Sequence, residues 1–288
     1  GAAARPAARA AGAAQRRGAE ILTRTARTSP RRNGDIWNTE LTDTRTAQTR
    51  NVTARALINA GGPWVNDIIN RVTGTNSRRA VRLVKGSHII VPKFWDGPHA
   101  YLVQNHDKRV IFINPYEGDK ALIGTTDIPY EGLPENLAVS DSEVSYLIAA
   151  VNKYFKQQLT EVYVVQKFAG VRPLYDDGKG NPSAVTRDYV LDLETGSGAP
   201  LLNIFGGKIT TFRKLSEHAI DKLAGQFPKM KQTWTANATL PGGDIPDADF
   251  EAFSRALAMQ YSWIPEQLTN HYARLYGTRT HQIIGSAN

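Results

Sequence analysis

Four short segments rich in β-branched and aromatic residues, SHIIVP, AYLVQN, RVIFINPY and ALIGTTDI, follow one another between residues 82 and 130. Only KFWDGPH, HDK and EGDK separate them. Links this short join strands antiparallel, so the stretch reads as an antiparallel meander on which the rest must pack.

On either side the periodicity changes. Ser140 opens a helix with Glu143 three residues on, a capping-box spacing. Val144, Leu147, Ile148, Val151 and Phe155 then form one apolar stripe. VYVVQKFAGVRPLYDDGKGNP and RDYVLDLE follow as strands around a polar loop. At the start, GAAARPAARAAGAAQRRGAE reads as a helix ending near Arg17, with Gly18 as its stop and a strand, EILTRT, after it. The same stretch is rich in alanine and arginine and has no acid before Glu20, as in a transit peptide; the helix is the preferred reading. DIWNTEL and TRNVTARALINAGG are the next strands. The second ends in the apolar run ALINA and then Gly61, Gly62 and Pro63, as a buried parallel strand does on reaching a ligand crevice. An ordinary tight turn before the helix WVNDIIN gives the same letters. After Pro241 the pattern is helical, through DFEAFSRALAMQY and PEQLTNHYARLYG.

The 288 residues allow one large domain or two ordinary ones, and 41% hydrophobic content is enough for a core. A balance of 35 basic and 27 acidic residues gives +8, which suits an acidic ligand, nucleic acid or an anionic membrane surface without choosing among them. The absence of cysteine removes disulfides, thiolate metal sites and cysteine nucleophiles. No run of about 18 apolar residues occurs to span a bilayer. The sequons at Asn51 and Asn237 carry little weight.

The stretch LLNIFGGKITTFRKLSEHA invites a phosphate-binding reading. A P-loop needs glycine five positions before its GK glycine and serine or threonine after the lysine; around Gly207 and Lys208 those positions hold Leu202 and Ile209. The P-loop reading fails. No G-x-G-x-x-G follows a strand; Gly178 and Gly180 lie in a polar loop with Ser183 in the third position. What remains is a backbone site. Gly206 and Gly207 allow close approach, and the following helix, with Phe212, Leu215, Ala219 and Leu223 on one face, offers its N-terminus to anionic oxygens. A capped surface helix with a solvated lysine is the plainer alternative.

His88 lies on a β-run with one buried face, where a lone histidine is more often a core residue than a base. Arg172 precedes a proline at a strand end, placed to fork onto a phosphate or to pair with Asp176 or Asp177. Thr125, Thr126 and Asp127 are a hydrogen-bonding corner or a strand end. No histidine cluster suggests a metal. No stacking aromatics interleave the basic runs, so nucleic acid is not an expected partner.

Taken in order, RLVKGSHIIVP, ALIGTTDIPYEG, FAGVRPLYDD, TRDYVLDL, APLLNIFGGKITTFRKLSEHA and LPGGD resemble the flavin-dependent glycerol-3-phosphate dehydrogenases of the bacterial respiratory type, from about residue 17 to the end. The resemblance implies an FAD enzyme that oxidises sn-glycerol 3-phosphate to dihydroxyacetone phosphate and passes electrons to membrane quinone. It implies an α/β fold with an α+β substrate domain. On that template residues 1–80 belong to a partial, Rossmann-like FAD-binding domain, 81–197 form an antiparallel-sheet substrate domain, 198–228 return to the FAD domain, and 229–288 begin a helical C-terminal domain. The family's N-terminal pyrophosphate-binding turn and most of its C-terminal domain have no counterpart here, so the chain alone is expected to be inactive, with FAD retention left open. TRTARTSP departs from the family's more aliphatic strand, and no adenine-side role is carried to Ala26 or Arg27.

Within this resemblance His88 is the candidate base or hydroxyl-orienting residue, since imidazole titrates near working pH. Arg172 and Lys208 are the candidate cations for substrate phosphate and oxygen. Gly206, Gly207, Ile209 and Thr210 resemble the backbone contacts around the isoalloxazine, and Ala60, Gly61, Gly62 and Trp64 the segment beside the FAD. No metal is expected. Glycerol 3-phosphate, dihydroxyacetone phosphate and quinone are the implied partners, and homo-oligomerisation is left open. The implied location is peripheral, on the inner face of the cytoplasmic membrane. A phosphate-binding module without redox chemistry, a basic nucleic-acid binder, and another oxidase of the same flavin fold are the competing readings.

Overall fold

A computed structural model describes residues 4–27, 30–72, 79–176, 188–196, 198–285 and 287. The polar loop containing Asp177, Gly178, Gly180 and Ser183 lies outside the described residues. The chain opens with α1 (Ala4–Gln15), β1 (Thr25–Arg27), β2 (Arg31–Asn33), β3 (Ile36–Asp43), β4 (Thr49–Ala54), β5 (Leu57–Asn59) and α2 (Val65–Val72). Its middle is β6 (Val81–Pro92), β7 (Tyr101–Gln104), β8 (Val110–Tyr116), β9 (Lys120–Gly124), β10 (Ile128–Pro129), α3 (Asp141–Asn152) and β11 (Gln166–Tyr175). β12 (Tyr189–Glu194), β13 (Leu201–Gly206), α4 (Phe212–Leu223), α5 (Phe250–Gln260), α6 (Glu266–Tyr276) and α7 (Thr280–Ile284) complete it. These elements group into two compact units, a larger one of Arg27–Glu40 and Arg50–Pro228 and a smaller one of Gly1–Ala26, Leu41–Thr49 and Lys229–Asn288.

The larger unit is built on a six-stranded antiparallel sheet. β7, β8 and β9 form the expected meander. The strand before it departs from that simple order, since β6 pairs with β9 rather than with β7. The letters of β6 explain the placement. Ile89, Ile90 and Val91 are all buried, so the strand needs cover on both faces and neighbours on both edges. It takes β9 and β10 on one edge and β11 along ten residues of the other.

One face of this sheet is closed by α3. Ile89, Val91, Ile111, Ile113 and Ile123 meet Val144, Leu147, Ile148 and Val151 in the largest apolar core. Burying each such side chain contributes about 1.5–3 kcal/mol before entropy is counted. The helix starts at the capping box read from the sequence: the Ser140 hydroxyl accepts from the Glu143 amide while the Glu143 carboxylate accepts from the Ser140 amide.

A second sheet of the same unit has the order β12-β13-β5, with β13 and β5 parallel. Phe205 points to α2 and packs with Val65 and Ile69, whereas Leu202 packs with Ala219 and Leu223 of α4. Helices on both faces explain why the strand LLNIF is apolar at every position but Asn203. The strand expected across TRNVTARALINA is in fact two, β4 and β5. The chain breaks at Arg55 and Ala56, so that β5 joins β13 while β4 pairs with β3.

In the smaller unit α5, α6 and α7 close on Leu257, Tyr261, Ile264, Ala273 and Ile284. α1 ends as expected, with Gly18 at φ +89°. The strand expected over EILTRT is confined to its end: Ile21 and Leu22 stay exposed, and extended pairing begins only at Thr25. No helix among the described residues is long and apolar enough to cross a membrane.

Candidate active site

The face of the large sheet turned away from α3 carries the candidate chemistry. Cross-strand partners share a face, and the register aligns Phe112, Gly124, His88 and Phe168 in one row across β8, β9, β6 and β11. The next row on that face is the glycine pair Gly86 and Gly170, and beyond it Val84 faces Arg172. His88 and Arg172 therefore stand on one surface with bare backbone between them.

Two of these glycines are required by what lies on them. A Cβ at Gly124 would strike the His88 imidazole, so the ring rests over the β9 backbone. A Cβ at Gly86 would meet the Arg172 guanidinium at 2.6 Å and the Thr125 hydroxyl at 2.5 Å. The arginine thus folds back over Gly86 towards His88. The imidazole stacks on Phe168, with ring centres 5.2 Å apart and planes 7° from parallel. Its Nδ1 is buried without a hydrogen-bond partner. Burial first, and the nearby Arg172 charge second, push the imidazole below its ordinary pKa, leaving a neutral ring near pH 7 that can accept a proton.

Arg172 is held by the corner after β9. It donates from Nη1 to Asp127 at 2.9 Å and from Nη2 to the Thr125 hydroxyl at 3.1 Å. The alternative partner Asp176 is taken instead by Arg82, at 3.1 Å. The guanidinium keeps 35% of its side-chain surface exposed, so a second acceptor can still reach it. The corner is itself fixed from behind. Buried Glu143 accepts from the hydroxyls of Thr126 (2.9 Å), Ser87 (2.7 Å) and Ser140 (2.9 Å), and pairs with Lys85 at 2.7 Å. Burial acts to raise its pKa, but these donors, Lys85 foremost, outweigh it and hold the carboxyl at about 2. The capping residue read from the sequence thus also braces the loop that grips Arg172.

The flavin-side candidates occupy two turns, Ala60 to Trp64 after β5 and Gly206 to Thr210 after β13. Both lie at the carboxyl ends of adjacent parallel strands, where α/β sheets bind ligands. Asn59 ties the first of these turns to β13, donating to the Val65 carbonyl and to Asn203 while accepting from the Gly61 amide. The end of β11 reaches both turns: a Cβ at Gly62 would lie 3.9 Å from Pro173, and one at Gly206 3.4 Å from the Tyr175 amide. Gly206 and Gly207 adopt φ +73° and +92°, and their Cβ positions are filled by the Asp188 carbonyl and by Leu215. The chain's own packing therefore already demands these glycines. Trp64 and Ile209 expose apolar surface beside the turns, and Ala60 and Thr210 are exposed too. This combination of glycine turns and apolar surface at parallel strand ends fits the flat, amphipathic ring of a flavin. The Lys208 carbonyl accepts from the Thr211 amide and hydroxyl, while its exposed ammonium makes no hydrogen bond or ion pair with a described residue, Arg172 and His88 included.

Sequence reasoning missed the three strand glycines, Phe168, Asp127 as the arginine's partner, and the bracing by Glu143. Isolated glycines within strand patterns were the available signal for the first, since they mark close backbone approach. Among the described residues no group of three or more histidines and carboxylates is placed to hold a metal.

A family model described as FAD dependent oxidoreductase matches residues 3–213, and the chain belongs to that family, whose cofactor is FAD. It is 59% identical over 278 residues to D-erythritol 1-phosphate dehydrogenase of Brucella abortus (strain 2308), covering 96% of this chain and 55% of that protein. It is 42% identical over 273 residues to aerobic glycerol-3-phosphate dehydrogenase of Escherichia coli (strain K12), covering 94% and 54%. Among solved structures, the glycerol-3-phosphate dehydrogenase from Bacillus halodurans complexed with FAD superposes with a TM-score of 0.77 at 26% identity, over 94% of this chain and 53% of that one. These matches bear out the resemblance read from the motifs and the fold class it implied. The chain spans about half the length of the curated relatives it matches.

Proposed function

We propose that the protein oxidises a secondary hydroxyl of a phosphorylated polyol. Glycerol 3-phosphate, giving dihydroxyacetone phosphate, is the substrate expected from the sequence, and erythritol 1-phosphate is the alternative that the Brucella relative raises. The observation that carries this reading is the placement of Arg172. Its guanidinium lies over Gly86, two residues and about 6.6 Å along β6 from His88. Side chains spaced this way can each hydrogen-bond one end of a small phosphate ester, one at the phosphate and the other at the neighbouring hydroxyl. Arg172 binds the phosphate, with the exposed Lys208 as second cation. His88, neutral and stripped of water on one side, takes the hydroxyl proton. The stack on Phe168 fixes the plane in which the imidazole accepts it. Bound at the two glycine turns, FAD supplies the hydride acceptor. Ala60, Gly61, Gly62, Trp64, Gly206, Gly207, Ile209 and Thr210 would hold it there.

In this reading residues 81–197 are the substrate domain, 1–80 with 198–228 the flavin side, and 229–288 a helical addition. Electron delivery to a membrane quinone at the inner face of the cytoplasmic membrane belongs to the same proposal. It is supported by the family resemblance and by the +8 charge.

The test is reduction of a dye acceptor by FAD-loaded protein with glycerol 3-phosphate, D-erythritol 1-phosphate or unphosphorylated glycerol. Either ester should be turned over and glycerol should not. Arg172→Ala should raise KM at least ~100-fold, the loss of a charge-assisted fork. Equal use of glycerol would remove the phosphate from the proposal, and no turnover of either ester would remove the reaction.

A further inference from the structure

Gly86 and Gly124 are explained by the side chains that rest on them; Gly170 is not. It faces Gly86 across β6 and β11, lies between Phe168 and Arg172 on its own strand, and is exposed. A Cβ built there would meet nothing within 4 Å. Its φ lies outside the left-handed region, so neither the chain's packing nor its backbone demands glycine at this position. A strand interior ordinarily disfavours glycine.

We propose that Gly170 is a specificity-determining residue: the open backbone over it is the floor on which the substrate's carbon chain lies between the His88 and Arg172 ends of the site. The inference rests on the polyol-phosphate reading and adds the position that sets how much carbon is admitted. With the phosphate at Arg172 and the reacting carbinol at His88, the carbons that link them have to cross the Gly86–Gly170 row. Arg172 already occupies the Gly86 half of that row, which leaves the Gly170 half to the substrate. A methyl group at 170 would take up this space without touching either end. A four-carbon ester would lose more than a three-carbon one.

The experiment compares wild type, Gly170→Ala and Gly170→Val as FAD-loaded proteins. It reads kcat and KM for glycerol 3-phosphate and D-erythritol 1-phosphate, calorimetric affinity for inorganic phosphate, and thermal midpoint. The expected result is a KM raised about tenfold or more for the four-carbon ester in Gly170→Ala, the scale on which a pocket senses one methylene. The three-carbon ester should change less, and valine should act more strongly on both. Affinity for inorganic phosphate should hold, because Arg172 is untouched, and the thermal midpoint should hold or rise. Unchanged KM for both esters in both variants would overturn the inference while leaving the reaction standing. A parallel loss of phosphate affinity would also overturn it, by placing the effect on Arg172. A wild type inert towards both esters would remove the polyol-phosphate reading, and this inference with it.

Discussion

Arg172 acts on His88 through space. Its charge is the second cause, after burial, of the lowered imidazole pKa. An NMR titration should therefore place the His88 midpoint below the unperturbed 6.5, and Arg172→Ala should move it part of the way back up. The sign for stability follows. A histidine whose folded pKa is depressed takes up its proton more readily when unfolded, so stability is lost as pH falls below about 6.5. Glu143 behaves in the ordinary carboxylate sense. Held at about 2 against a reference of 4.5, it contributes on the order of 3 kcal/mol at neutral pH, lost as pH falls through that window. Glu143→Ala should cost about 3–5 kcal/mol in urea titrations, since it leaves Lys85, 13% exposed, without its buried counter-charge. A cost below ~1 kcal/mol would show the carboxylate to be a cap alone. His88 and Arg172 could be singled out by residue type, but the neighbours that surround them could not. Phe168 comes from another strand than His88 and Asp127 from the corner after β9, and only the folded sheet brings them alongside.

At the scale of elements, local chemistry was readable and non-local pairing was not. The Ser140–Glu143 box and the stripe of α3 follow from spacing alone, and both were met. The partner of β6 could not follow from spacing, because pairing with β9 rather than β7 depends on which strand needs two buried faces. TRNVTARALINA failed for a related reason, since nothing local marks Arg55 and Ala56 as the place where one sheet gives way to another. α3 offers the cleanest test of how element packing supports the site. Leu147 is fully buried against the sheet, and Leu147→Ala should lower unfolding stability by about 2–5 kcal/mol with an unchanged denaturant slope.

For the whole chain the +8 charge bears on association. An anionic ester approaching a cationic protein is attracted over about a Debye length, roughly 10 Å at 0.1 M salt. kcat/KM for a phosphorylated polyol should fall several-fold between about 10 and 150 mM salt while kcat stays level. A flat profile would confine electrostatics to the bound state. Fold class and family were legible at this scale because long motifs, not composition, carried them. That the end of β11 reaches both glycine turns, at Gly62 and at Gly206, required the structure.

The Asn59–Asn203 bond links the first glycine turn to the strand that leads into the second. Strand ends tied side chain to side chain behave as a single bearing surface, so whatever rests on one turn is felt at the other. Binding energies read by altering one turn at a time would then sum to more than the whole, and the excess would vanish once Asn59→Ala had cut the tie.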